Sequence, residues 1–423
     1  MKKTPFVLFA LFVLITNTDA QTKITKKYID PANMDLSVKP GDDFYRYVSG
    51  TWIKNNPIPA SRTRWSSAVA LAEISSSNIK SILEEDAKKP EADKISKILG
   101  DFYASGMDSI HIEELGFTPI KPELDRISKI NSLSEIINEI ATLRVRGIAS
   151  PLFGFFIGTD SKNTNQYIAQ FGQGGTTLPD RDYYIKKSPK NDNLKTAYKS
   201  FITDLFKLTG TDENTARENA DAILTLETKI AEAQMSRVEM RDPIKLYNKF
   251  LIDDFSKTTT TINWKQLMAK MMVTGQDSIL VSNPKFLRFA DSLLPATPVT
   301  VWKTYLQWYI LKNNAAYLSN AFVQRNFQFS KVLSGQKEIT PRWQRMSSLI
   351  DGNLGELLGQ QYVALHFKPE AKKRMIELVD NLQAAFAKRI NGLDWMTTET
   401  KQKALQKLST FKRKIGYPDK WKT

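Results

Sequence analysis

The 423-residue sequence contains no cysteine and only two histidines, His111 and His366. Without thiols there is no disulfide, no thiolate nucleophile and no sulfur ligand for a metal. Neither histidine has a second one four positions away, so the helical H-E-x-x-H pair of a catalytic zinc site cannot form. His111, in the charged run HIEEL, reads as a surface residue; His366, after the apolar Tyr362–Leu365, reads as partly buried. There is no G-x-S-x-G elbow and no support for a serine triad. Carboxylates from distant segments are free to meet, but nothing selects a pair. The one glycine-dense run, Gly172-Gln173-Gly174-Gly175, lacks the lysine-serine or lysine-threonine of a phosphate loop and reads as a loop rather than a strand. No repeat of fixed period and no low-complexity tract is present.

What is there is ordinary globular material. Apolar residues make up 41% of the chain and charged residues 25%, enough for a substantial core. The length predicts one large unit or two sub-lobes. Lys2 and Lys3, the apolar run Phe6–Ile15 and the small-residue end Thr18-Asp19-Ala20 have the order of a secretory leader. Residues 1–20 are therefore expected to be a signal peptide cleaved after Ala20. Its apolar run is half of the roughly twenty residues that a membrane span needs, so no transmembrane anchor is expected after cleavage. A secreted or periplasmic location follows, with residues 21–39 as an extended segment before the packed chain. The formal charge is +15, and residues 368–423 hold 14 basic against 6 acidic side chains. Those lysines fall on the polar sides of helical repeats, where solvated charge is ordinary, and a secretory leader argues against nucleic acid as a partner.

Apolar spacing predicts a mainly α fold. Helices are expected over Ser66–Lys89, Glu91–Ser105, Ser132–Arg144, Asn193–Leu208, Asp212–Met235, Trp264–Met271, Pro298–Ser319 and Thr340–Leu365. Met375, Leu378, Leu382, Phe386 and Ile390 trace one further stripe, and Thr397 with Glu399 opens a last helix. The exception is a small β-hairpin near 152–171, where two apolar runs flank the polar Asp160–Asn165. Within this large multi-helix lobe the expected breaks are at Gly106 to Asp108, Lys186–Asn193 and Ser330–Lys337.

Five blocks are more particular than composition can produce. They are PGDDFYRYVSGTWIKNNPIP at Pro40–Pro59, LPDRDYY at Leu178–Tyr184, RVEMRDP at Arg237–Pro243, IDGNLGELLGQQYV at Ile350–Val363 and KIGYPDKW at Lys414–Trp421. Together they resemble the neprilysin and endothelin-converting-enzyme family of zinc metallopeptidases. The resemblance runs from about Tyr28 to Trp421 and implies that residues 40–423 form the family's N-terminal helical domain. In complete members that domain covers a thermolysin-like zinc lobe across a large cavity and restricts access to short peptides. The family's H-E-x-x-H helix and its further glutamate ligand lie beyond the last block, so the resemblance implies a truncated chain. Zinc belongs to the complete enzyme, with no cofactor, no metal ligand and no catalytic residue expected here. Short peptides and the missing C-terminal zinc lobe are the implied partners.

One binding residue is carried over. In the family an arginine just before an aromatic, after the proline-containing end of the first block, grips the substrate's C-terminal carboxylate; Arg64 before Trp65 matches. A guanidinium suits that task because its fork can donate two parallel hydrogen bonds. The other reading of Arg64 is a solvated residue or a partner of Asp42 or Asp43. Arg62 is a substitute, since Ser66–Ala72 contains no acid or arginine. Asp180, Arg181 and Asp182, and the group Arg237, Glu239, Arg241 and Asp242, read as charges that pair and fix local structure. Phe44, Tyr45, Tyr47, Trp52 and Trp65 read as core anchors. The alternative reading of the whole is a stand-alone envelope protein that binds peptides or glycans.

Overall fold

The structure, a computed structural model, describes residues 30–89, 93–148 and 151–422. The leader read at 1–20 lies outside the described residues. Two compact units divide after Ile58.

In the first unit a 3₁₀ turn at Pro31–Asn33 precedes α1 (Phe44–Asn55). Asp43 caps α1, its Oδ1 accepting from Arg46 N at 2.9 Å. Gly50 lets the turn approach, because a Cβ there would stand 2.6 Å from Asp35 Cβ. Asp35 N then donates to Tyr47 O at 2.9 Å, and Thr51 Oγ1 to Met34 O at 2.8 Å. Phe44 and Tyr45 are exposed and Tyr47 and Trp52 only half-buried, so these aromatics are not core anchors.

The second unit begins with two helices that pack unusually close. α2 (Ser67–Lys88) starts at the Ser66 cap, and α3 (Lys94–Met107) starts at Asp93, whose Oδ1 accepts from Ile95 N and Ser96 N at 2.8 and 3.0 Å. At the crossing stands Gly100, where a Cβ would lie 2.5 Å from the Asp86 carbonyl. Asp108 ends α3 and caps α4 (Ser109–Leu115). Next come α5 (Lys121–Ser128) and α6 (Leu133–Val145), the latter held by a reciprocal Ser132 and Glu135 capping box.

The expected hairpin is present and larger than its apolar runs suggest. β1 (Phe153–Asp160) pairs antiparallel with β2 (Asn163–Gln173), and Gly172 is a strand residue opposite Gly154 rather than the start of a loop. Two short strands, β3 (Lys249–Leu251) and β4 (Ser278–Val281), complete a four-stranded sheet of order β1-β2-β4-β3. β4 lies parallel to β2 and antiparallel to β3. Buried Asp160 anchors the hairpin tip to this far edge by accepting from Tyr247 Oη at 2.9 Å and Lys249 Nζ at 3.1 Å.

Helices pack around the sheet: α7 (Asp182–Ile185), α8 (Pro189–Leu208), α9 (Glu213–Ala233), α10 (Ile252–Ser256), α11 (Trp264–Lys270), α12 (Pro284–Ala296), α13 (Val299–Asn314) and α14 (Asn320–Ser334). α8 starts four residues before the expected Asn193 because Ser188 caps it and Pro189 takes its first position. The large core joins sheet and helices through an aromatic cluster of Phe153, Phe171, Phe255 and Trp264. α13 is buried nearly all round, with Trp302, Tyr305, Trp308 and Tyr309 inside.

Beside α13 lies a closed polar network. The buried Glu227 carboxylate accepts from Thr177 Oγ1, Tyr184 Oη and Tyr198 Oη at 2.7, 2.7 and 2.8 Å. Lys312 Nζ donates to Thr177 Oγ1 at 3.0 Å and lies 3.6 Å from the Tyr309 ring centroid. Burial raises the Glu227 pKa, and burial pushes Lys312 down to about 8. Tyr184 brings the LPDRDYY block into this network.

α15 (Arg342–His366) returns to α2 and α3 and forms a second core, in which Met346, Ile350 and Leu358 meet Ile82, Leu83, Leu99 and Tyr103. Its non-helical Leu354, at φ −124° and ψ 25°, makes it two rods rather than one. α16 (Pro369–Asn391) and α17 (Thr398–Ser409) pack on each other. The expected stripe on α16 exists, but Met375, Leu378, Leu382 and Phe386 are exposed, between 44% and 63%. No helix among the described residues is long and apolar enough to cross a membrane.

Candidate functional site

The segment between Pro59 and α2 carries the arginines that the sequence singles out. Arg64 is exposed, and among the described residues no carboxylate of its own unit lies within ion-pair distance. Trp65 beside it is half-buried. Arg62 is different: its Nη2 pairs with Glu73 Oε1 and lies 3.3 Å from Gln344 Oε1. Gln344 Nε2 donates to Glu73 Oε2 at 2.7 Å, which closes a triangle between the start of α2 and the start of α15. The acid that answers Arg62 therefore sits one residue beyond Ser66–Ala72. Arg62 is thereby committed to an ion pair, and Arg64 is exposed.

The two charged blocks answer one another. Arg237 Nε pairs with Asp180 Oδ2 at 2.6 Å, and Arg237 Nη2 donates to Pro179 O at 3.1 Å. Arg181 Nη1 donates to Gln234 O at 2.6 Å, while Asp182 pairs with Lys186 at 2.7 Å. Glu239 accepts from Ser236 N and Oγ, each at 2.9 Å. These contacts fix the loop before α7 against the end of α9. They are structural.

The histidines do not converge. His111 is exposed on α4, 3.7 Å from Glu114 Oε2. His366 ends α15 and is exposed, not partly buried as its apolar prefix suggests; its ring lies 5.1 Å from that of Tyr362. The apolar run before it belongs to a helix whose last turn emerges into solvent.

A profile of the N-terminal domain of peptidase family M13 matches residues 40–418. The chain belongs to this family. M13 relatives include endothelin-converting enzyme 1 of Rattus norvegicus, 28% identical over 95% of this chain and 54% of its own length. Neprilysin-3 of Drosophila melanogaster is likewise 28% identical, over 92% of this chain and 52% of itself. The chain thus spans about half the length of the curated relatives it matches. Among solved structures, the Mycobacterium tuberculosis zinc metalloprotease ZMP1 in complex with an inhibitor superposes with TM-score 0.87 at 31% identity, covering 93% of this chain and 60% of that one.

The M13 family is one of zinc peptidases, so the donors present must be tested against zinc. Catalytic zinc takes three protein ligands with an open fourth position. Among the described residues no group of three histidine, cysteine, aspartate or glutamate side chains could hold a metal ion. With one imidazole on α4 and the other at the end of α15, the described residues do not fit the ion.

Proposed function

We propose that these residues are the substrate-restricting N-terminal lobe of a neprilysin-type zinc metalloendopeptidase acting on short secreted or periplasmic peptides. By themselves they bind peptide but do not cleave it. The observation that carries this reading is the ZMP1 likeness, which takes in nearly all of this chain and only 60% of that enzyme, beside a donor set that does not fit zinc. The uncovered apolar stripe on α16 supports it, since such a face suits burial against a further lobe. Residues 1–20 would direct the protein out of the cytoplasm. Arg64 is the proposed carboxylate-binding residue, exposed and without an acidic partner among the described residues of its unit.

The test is to incubate the purified chain with zinc and a quenched fluorogenic peptide. Cleavage is expected to stay at background, and turnover abolished by EDTA would overturn the inactive assignment. Titration with short peptides should show binding that weakens at least tenfold when Arg64 is replaced by Gln. Affinity for oligosaccharides with none for peptides would instead favour a glycan-binding envelope protein.

A further inference from the structure

A cavity of about 420 Å³ opens between α14, the start of α15 and the segment before α2, entirely within the second unit. Its lining includes Tyr317, Phe327 and Ile339 on the apolar side and Asn326, Ser330 and Arg345 on the polar side. This volume falls in the range of small-molecule sites, which are mostly apolar with a few placed polar groups.

Two arginines line it, in opposite electrical states. Arg62 is neutralised by Glu73. Arg345 is half-buried and has only backbone carbonyls: Nε donates to Thr340 O and Nη1 to Ala316 O, both at 3.2 Å. No described carboxylate lies within ion-pair distance, and its Nη2 makes no hydrogen bond with a described residue. Burial and neighbouring Arg342 lower the Arg345 pKa, as expected for a cation without a counterion. A guanidinium partly removed from water and left without an anion is costly, and a carboxylate seated on its fork would recover that cost. The two carbonyls fix the guanidinium plane before any ligand arrives.

We infer that this cavity binds a small monocarboxylate with an apolar body, its carboxylate on Arg345 and its body against Tyr317, Phe327 and Ile339. The apolar lining selects a ligand with an apolar body, which inorganic phosphate lacks, and Arg62 is already taken. The same chemistry is offered by a free N-blocked amino acid and by the C-terminal residue of a peptide. The site is separate from Arg64 and does not depend on the peptidase reading.

The test is isothermal titration of the full chain with N-acetylphenylalanine, Ala-Ala-Phe, their C-terminal amides and inorganic phosphate. Saturable binding of at least one acid is expected, with its amide and phosphate at least tenfold weaker. A preference for the acetylated amino acid would assign a free metabolite, and a preference for the tripeptide would assign peptide ends. Arg345→Lys keeps the charge but loses the fork, and should weaken the acid at least tenfold. Ser330→Trp should abolish binding by filling the cavity, and it serves if Arg345→Lys does not fold by near-ultraviolet circular dichroism. Equal affinity for acid and amide, no binding of either acid, or acid binding unchanged in Ser330→Trp would each overturn the inference. Binding lost in Arg64→Gln but kept in Ser330→Trp would sink this site and leave the proposed function standing.

Discussion

Lys312 and Glu227 meet in the core through a single hydroxyl: Thr177 Oγ1 donates to the glutamate at 2.7 Å and accepts from the lysine at 3.0 Å. The two charges are thus coupled without direct contact, the glutamate fully buried and the lysine half-buried. Removing one should cost more than removing both. Lys312→Met is expected to lower the unfolding free energy by about 3–5 kcal/mol, and Lys312→Met with Glu227→Gln by clearly less. Urea denaturation of the two single variants and the double variant checks this; additive losses would show that the residues do not interact.

The same pair predicts a pH dependence with a definite sign. Folding holds the Lys312 pKa near 8, below the ordinary value of 10.5, so above pH 8 the unfolded chain binds more protons at this site. Its contribution to stability therefore rises with pH from about 8 to 10.5. Glu227, raised by burial, acts oppositely at lower pH, where its contribution is lost as pH rises through the folded value. The stability difference between wild type and Lys312→Met should grow by on the order of 3 kcal/mol between pH 8 and 10.5. Paired urea midpoints across that range measure it, and a constant difference would refute the buried, proton-losing lysine.

Gly100 tests the close approach of α2 and α3. Gly100→Ala adds a helix-favouring methyl, yet that methyl would lie 2.5 Å from the Asp86 carbonyl. The clash should win, with a net loss of about 1–3 kcal/mol by thermal or chemical unfolding. A stabilised variant would mean that the helices part at little cost.

Tyr305 tests how the sheet is tied to α13. Its buried hydroxyl donates to Pro151 O and lies 2.5 Å from Gly175 O, bridging the two ends of the hairpin. Tyr305→Phe should cost about 1–3 kcal/mol, because the buried Pro151 carbonyl loses its donor. Hydrogen exchange of β1 and β2 should quicken beyond the global effect.

Much of the helical lobe is legible in the sequence because its helices carry long apolar stripes or sharp caps: Trp264 to Lys270 and the start of α2 at Ser66 lie within a residue or two of expectation. α12 and α14 escape notice. The first does carry a sequence signal, the Asn283-Pro284 cap followed by the stripe Phe286, Leu287, Ala290, Leu293 and Leu294, whereas the second has a stripe interrupted with Gln324, Arg325 and Asn326. β3 and β4 have three and four residues, too few for periodicity, and their pairing depends on distant segments. The candidate site was legible only as arginines. That Arg62 is neutralised and Arg345 is not depends on Glu73, Gln344 and Ala316, which the fold alone brings together.

The first turns of α15 present Gln344 and Arg345 to the cavity and, one residue later, Met346 to the core against α2 and α3. Recognition and mechanical support are therefore phased on a single rod. A one-residue insertion before Met346 would rotate the arginine fork by about 100° relative to its anchor. Side-chain exchanges on α14 or on the segment before α2 would therefore reshape the pocket's other walls without disturbing that register.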